Sequence, residues 1–177
     1  AHIDAKKGSP GAIDNATGAA VLLVLADLLK DYDGDKLIEL AAFNGEDYYS
    51  VPGQMTYIRA NQNNFDNIFL NINIDGAAYK IGNTSFSSFD LEASLEKKLE
   101  EIIKSYPGIV RGSKWAQGDH SIFLQYGVPA VAISSKWFID NIETQQITHT
   151  EKDNLEIVAP AKIIEIAKAL NQFIRKI

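Results

Sequence analysis

The sequence predicts an α/β fold: a three-layer sandwich with a largely parallel mixed sheet flanked by helices. Three observations predict it. Apolar runs of strand length alternate with segments of helical periodicity along the chain. Glycine and proline punctuate the breaks, as at Gly8-Ser9-Pro10-Gly11, Asp33-Gly34-Asp35 and Pro107-Gly108. Acidic residues recur where strands are predicted to end, the side on which such sheets bind ligands.

Taken in order, Ala1 to Asp4 reads as the end of a strand, which puts His2 and Asp4 on one face. Lys6 to Ile13 is a loop. A helix from about Ala16 to Lys30 carries Val21, Leu22, Leu25, Leu28 and Leu29 on one face, widened by Leu23 and Val24. A helix so nearly apolar all round is expected inside the domain. Lys36 to Phe43 reads as a buried strand that delivers Asn44-Gly45-Glu46-Asp47 at its end. Met55 to Arg59 is helical, with Pro52 near the start. Ile68 to Ile74 alternates as a strand and ends at Asp75-Gly76. Ala78 to Ile81 is a candidate further strand and Asn83 to Ser88 a polar loop. Leu91 to Tyr106 is an amphipathic helix with Glu and Lys outward. Ile109 to Arg111 is a short strand. Gly118-Asp119-His120 opens a short helix to Tyr126, ended by Gly127. Pro129 to Ser134 is an apolar strand, and Lys136 to Ile147 an irregular loop. Pro160 to Lys176 closes the chain as a helix with proline in its first turn.

The length of 177 residues suits one domain with a sizeable core. The net charge of −6 argues against nucleic acid as a partner. No apolar run is long enough to span a bilayer, and no signal peptide is visible. The chain has no cysteine, so any metal must be held by His, Asp and Glu.

Those residue types are present. His2, Asp4, Glu46, Asp47 and Asp75 all fall at predicted strand ends, and Asp14 lies on the loop entering the first helix. Zinc takes imidazole nitrogen and carboxylate oxygen, and a pair of zinc ions needs a bridging carboxylate. Asp4 can accept the spare N–H of His2 and fix its tautomer. Adjacent Glu46 and Asp47 diverge, so one can bind metal while the other faces a water. Taken singly, Asp4 and Asp14 read as turn or cap residues, Glu46-Asp47 as a solvated loop, and His149 as a surface histidine. His120 reads either as a donor to substrate or ligand, or as a structural hydrogen-bonding group at a helix start. Trp137, Phe138 and Ile142 read as a substrate side-chain pocket or as core, and Tyr48 and Tyr49 likewise, with core packing favoured for the tyrosines.

The motifs resemble those of the co-catalytic di-zinc aminopeptidases, the group of bacterial leucyl aminopeptidase, aminopeptidase Y and the glutamate carboxypeptidases. The matching segments are His2-Ile3-Asp4, Pro10-Gly11-Ala12-Ile13-Asp14-Asn15 through Gly18, Gly45-Glu46-Asp47, Asn73-Ile74-Asp75, Gly118 to Phe123, Gly127 to Pro129, and Thr148-His149-Thr150 with Asp153 nearby. Their order is the family's order. The resemblance implies a single catalytic peptidase domain with two zinc ions per chain. Asp14 would bridge them, His2 and Asp75 completing one metal and Asp47 and His149 the other. It also implies a cis peptide between Asp14 and Asn15. The reaction implied is hydrolysis of the N-terminal residue of a peptide by a metal-bridging water, with Glu46 as general base and Asp4 orienting His2. Acidic groups in the site would receive the α-amine.

Family domains carry strands and a helix ahead of the His-x-Asp motif, whereas this chain begins one residue before His2. The resemblance therefore predicts a piece lacking its N-terminal part and, with a free amino group beside His2, incompletely metallated and inactive by itself. Two alternatives stand beside the aminopeptidase: a glutaminyl-cyclase-type acyl transferase with one zinc, and a metal-free binding domain on the same scaffold. The cellular location is open; relatives are often exported.

Overall fold

The computed structural model describes residues 1–48 and 52–177. Tyr49 lies outside the described residues. The helices are α1 (Thr17–Leu28), α2 (Pro52–Asn61), α3 (Ala93–Ser105), α4 (His120–Gln125), α5 (Lys136–Asp140) and α6 (Pro160–Ile174). The strands are β1 (Asn71–Ile74), β2 (Thr84–Phe89), β3 (Ile109–Arg111) and β4 (Ala130–Ser135). They form one mixed sheet in the order β1-β4-β2-β3. β1 runs parallel to β4 and β2 parallel to β3, while β2 and β4 are antiparallel.

The period-2 rule of a strand organises the layers. Val131 and Ile133 of β4 join a core with Val21 and Leu25 of α1, Leu99 and Ile102 of α3, and Ile166, Leu170 and Phe173 of α6. Ala130 and Ala132, one residue out of phase, pack with Phe89, Trp115 and Leu124 of α4 instead. A third cluster gathers Phe43, Phe65 and Phe123, with Tyr57 and Ile58 of α2 against it. β4 is buried along its whole length, so both faces must be apolar or small, and its sequence is. Among the described residues no helix is long and apolar enough to cross a membrane.

Several expectations need correction. Lys36 to Phe43 is not a strand: only Phe43 makes a bridge, parallel to His2, and Leu37 is 96% exposed. An apolar alternating run becomes a strand only where a neighbour offers a ladder, and here no further ladder forms among the described residues. Ala78 to Ile81 likewise contributes a single bridge, Tyr79 to Val158. The reverse error falls at Asn83 to Ser88, which forms most of β2 rather than a loop. Its hydroxyl side chains disguise an interior strand; Thr84, Ser85 and Ser87 are buried. Lys136 to Ile147 opens with α5 before it becomes irregular. Leu23 is 75% exposed, so α1 is buried on one face rather than all round.

Candidate metal centre

The loop before α1 carries the centre of the site. Gly11 takes φ +67°, and from Ala12 the chain coils in a tight irregular turn through Asp14 and Asn15 into α1. The Asp14–Asn15 peptide is cis. Gly18 lies so close to the end of β1 that a Cβ there would overlap the Asn15 side chain and the Ile74 carbonyl. The buried Asn15 side chain completes this seam: its Nδ2 donates to the Ile74 carbonyl at 2.8 Å and its Oδ1 accepts from Gly18 N–H. Asp14 is thereby set beside Asp75, the residue that follows β1.

The bridge between His2 and Phe43 aligns two more segments. His2 is fully buried at one end of it, and Glu46 and Asp47 follow from Phe43 in a short 3-10 turn. Asp4 ties them together. Its carboxylate accepts Gly45 N–H at 2.7 Å and Glu46 N–H at 3.3 Å. His2 Nδ1 lies 3.1 Å from the Asp4 carbonyl and 3.5 Å from its carboxylate. The ring is thus oriented chiefly by the Asp4 backbone, and the Asp4 side chain mainly holds the Glu46 loop. His149, 147 residues further on than His2 in chain numbering, enters from a turn in which it holds φ +63°. Such left-handed backbone is uncommon for a residue with a Cβ.

These segments converge on Asp14. His2 Nε2 is 3.1 Å from Asp14 Oδ1, 3.4 Å from Asp75 Oδ1 and 3.8 Å from Glu46 Oε2. His149 Nε2 is 3.1 Å from Asp14 Oδ2 and 2.8 Å from Asp47 Oδ1. The two oxygens of one carboxylate therefore face two different histidines, each backed by a second carboxylate. The ligand atoms of His2, Asp14 and Asp47 lie within 4.8 Å of one another, as do those of His2, Glu46 and Asp75.

The electrostatics match a cation site. Burial alone pulls His2 down, but the Asp14 and Asp75 carboxylates facing its ring outweigh this and push it up to about 12. Burial would raise Asp14; the two histidines outweigh it and hold the carboxyl at about 2. Glu46 is pushed up to about 8, by burial first and then by the charge of Asp75. Asp47 is also raised, by burial and by Asp14. Buried acids crowd together here with few positive partners, which favours a bound cation. His2 Nε2 and Asp47 Oδ2 are buried and make no hydrogen bond. Imidazole and carboxylate donors, with orphaned atoms aimed inward, fit zinc.

A cavity of about 750 Å³ opens over these residues. One part of its wall is apolar, formed by Met55, Ile58, Ile122, Phe138, Ile139 and Ile142. Another is polar but uncharged, with Gln54, Gln117, Ser121, Gln125 and Gln145. Among the described residues no lysine or arginine lines it.

Two expected site residues lie elsewhere. His120 is fully buried between the rings of Phe89 and Trp115, with Nε2 3.0 Å from the Trp115 carbonyl. Its polar atoms are occupied inside the fold, and it does not line the cavity. Trp137 packs against Tyr79 and Phe138, away from the cavity, whereas Phe138 does line it. Tyr48 is half exposed and accepts Lys7 N–H at its hydroxyl, so it is neither core nor cavity wall. Trp115 and the face of α2 formed by Gln54, Met55 and Ile58 also line the cavity. For α2 a sequence signal existed, since these residues share a helix face; for Trp115, in an irregular segment, none did.

Known proteins share this arrangement of the chain. Residues 1–174 match peptidase family M28. Aminopeptidase YwaD of Bacillus subtilis (strain 168) is 25% identical over 176 residues, covering 92% of this chain and 37% of that protein. The aminopeptidase from Aneurinibacillus sp. strain AM-1 superposes with a TM-score of 0.80 at 21% identity, over 99% of this chain and 42% of that one. A zinc aminopeptidase from Bacillus subtilis gives 0.80 at 20% identity, over 99% and 44%. LapB from Legionella pneumophila gives 0.78 at 21%, over 98% and 49%. The chain thus spans less than half the length of these relatives, and the structural likenesses show the fold. With a family match over nearly all of its residues, the chain belongs to peptidase family M28.

Proposed function

We propose that the protein is a zinc aminopeptidase that binds two zinc ions per chain and removes the N-terminal residue of peptides. One observation carries the reading. The two oxygens of Asp14 face His2 and His149 separately, at 3.1 Å each, as a bridge between two metal positions requires. His2 and Asp75 complete one position, Asp47 and His149 the other. Relatives described as aminopeptidases, one of them as a zinc aminopeptidase, support the reading.

Bound zinc would polarise the scissile carbonyl and acidify a water. The protein's own residues do the rest. Glu46 takes the proton of the attacking water and passes it to the leaving amine. Asp4 holds Glu46 in place through the Gly45 and Glu46 amides. Acidic groups in the site accept the substrate's free ammonium group, and the apolar wall receives its side chain. Among the described residues a free carboxylate finds no cationic partner on the cavity wall, which favours aminopeptidase over carboxypeptidase action.

The test is substrate choice by the full-length protein loaded with zinc. Release of nitroaniline from an aminoacyl-nitroanilide, abolished by a chelator, supports the proposal. Cyclisation of N-terminal glutamine without hydrolysis, or cleavage only at a free C-terminus, contradicts it.

A further inference from the structure

Asp153 takes no part in the ligand set, yet it is fully buried beside it. Its Oδ1 accepts Ile13 N–H at 2.6 Å and its Oδ2 accepts Asp14 N–H at 3.1 Å. Its own carbonyl accepts Ala12 N–H at 3.2 Å. Three successive amides, ending at Asp14 itself, are thus held by one residue about 140 positions away in sequence. On its other side Asp153 N–H donates to the Thr150 carbonyl at 3.1 Å, closing the turn that presents His149. The link joins two ligand-bearing segments that share no sheet.

A buried carboxylate is a costly way to satisfy amides, and more so beside Asp14. Its geometric merit is that both oxygens accept, so two adjacent N–H groups are fixed at once. An amide side chain of equal size has only one accepting atom. We propose that Asp153 is a positioning residue for metal binding: it joins the Asp14 loop to the His149 turn, and the metal position of Asp14, Asp47 and His149 forms only when its carboxylate spans both amides. This rests on the two-zinc reading above.

The opposite position has its own brace. Asn15 ties the same loop to the end of β1 beside Asp75, its side chain bonded to the Ile74 carbonyl and to Gly18 N–H. Loss of Asp153 therefore acts unequally on the two metals.

The experiment is Asp153→Asn in the full-length protein, with stepwise zinc affinities measured by competition against a chromophoric chelator. One zinc is expected to bind within about threefold of wild type and the other to weaken by about 10–100-fold, the range for partners that orient metal ligands. Equal weakening of both would mark a merely structural residue and overturn the proposal, as would two unchanged affinities. A wild type that binds fewer than two zinc ions would instead sink the two-zinc reading. Should the variant fail to fold, amide exchange in the metal-free wild type decides. Slow exchange at Ile13 and Asp14 supports the brace; exchange at exposed-loop rates overturns it.

Discussion

The apolar face of the sheet and the cleft at its strand ends are built on opposite terms. Behind β4, α1, α3 and α6 bury aliphatic and aromatic side chains against Val131 and Ile133, and the helices satisfy their own backbone groups. At the ends of the strands, Asp14, Glu46, Asp47 and Asp75 share one cleft with two histidines. The first region gains stability by removing apolar surface from water. The second concentrates like charges that only protons or cations reconcile. The contrast teaches that the apolar face stabilises a site that would not form on its own energetics.

The sharpest way to separate the two regions is Glu46→Gln. It should lower kcat by about 10²–10⁴-fold, the usual worth of a general base, while zinc content and melting temperature stay near wild type. Retained turnover would remove Glu46 from its role. The mirror experiment is Phe173→Ala on α6, where the side chain is fully buried. It should cost about 3–5 kcal/mol of stability in denaturant titration, with kcat unchanged well below the transition.

Next in size is the pH response of the metal-free protein. Glu46 titrates at 4.5 when unfolded and about 8 when folded, so the folded state keeps the extra proton and loses stability as pH rises through that window. His2, raised from 6.5 to about 12, contributes fully below 6.5 and less as pH climbs toward 12. Asp14, lowered from 3.8 to about 2, contributes above 3.8 and loses its share as pH falls toward 2. Thermal melts with chelator should therefore show lower stability at about pH 8 than at about pH 5, and Glu46→Gln should flatten that slope. An unchanged melting temperature across the range would show that the cleft is not electrostatically strained.

The smallest effect refines the cavity wall. Ile142→Ala should raise KM about tenfold for peptides with a bulky N-terminal residue, a loss of the size that apolar pockets give. Trp137→Ala should leave KM unchanged and lower stability, since that ring packs on Tyr79.

How much of this could be read from the sequence follows the same division. The carboxylates of the cleft fall at predicted strand ends or on the loop entering α1, which marks them as candidates, whereas His149 stands out only through the resemblance of the motifs. Their gathering depends on the parallel β1–β4 pairing and on the His2–Phe43 bridge, which spacing does not encode. β2 was hidden because its Thr84, Ser85 and Ser87 are polar, although they are buried in the sheet. Lys36 to Phe43 has the apolar content of a buried strand, yet among the described residues it pairs only through the bridge at Phe43. His120 and Trp137 were ambiguous for a different reason: whether an imidazole or an indole meets solvent, ligand or core is settled by tertiary packing alone. The cavity wall was illegible for that reason too, since α2, the segment around Trp115 and α5 meet only in the folded chain.

The central claim is that Asp14 bridges two cations. Metal analysis of full-length wild type against Asp14→Asn, after dialysis from excess zinc, tests it most directly. The account predicts about two zinc ions per wild-type chain and severe loss of both in the variant. Two zinc ions retained by Asp14→Asn, or none held by the wild type, would contradict it.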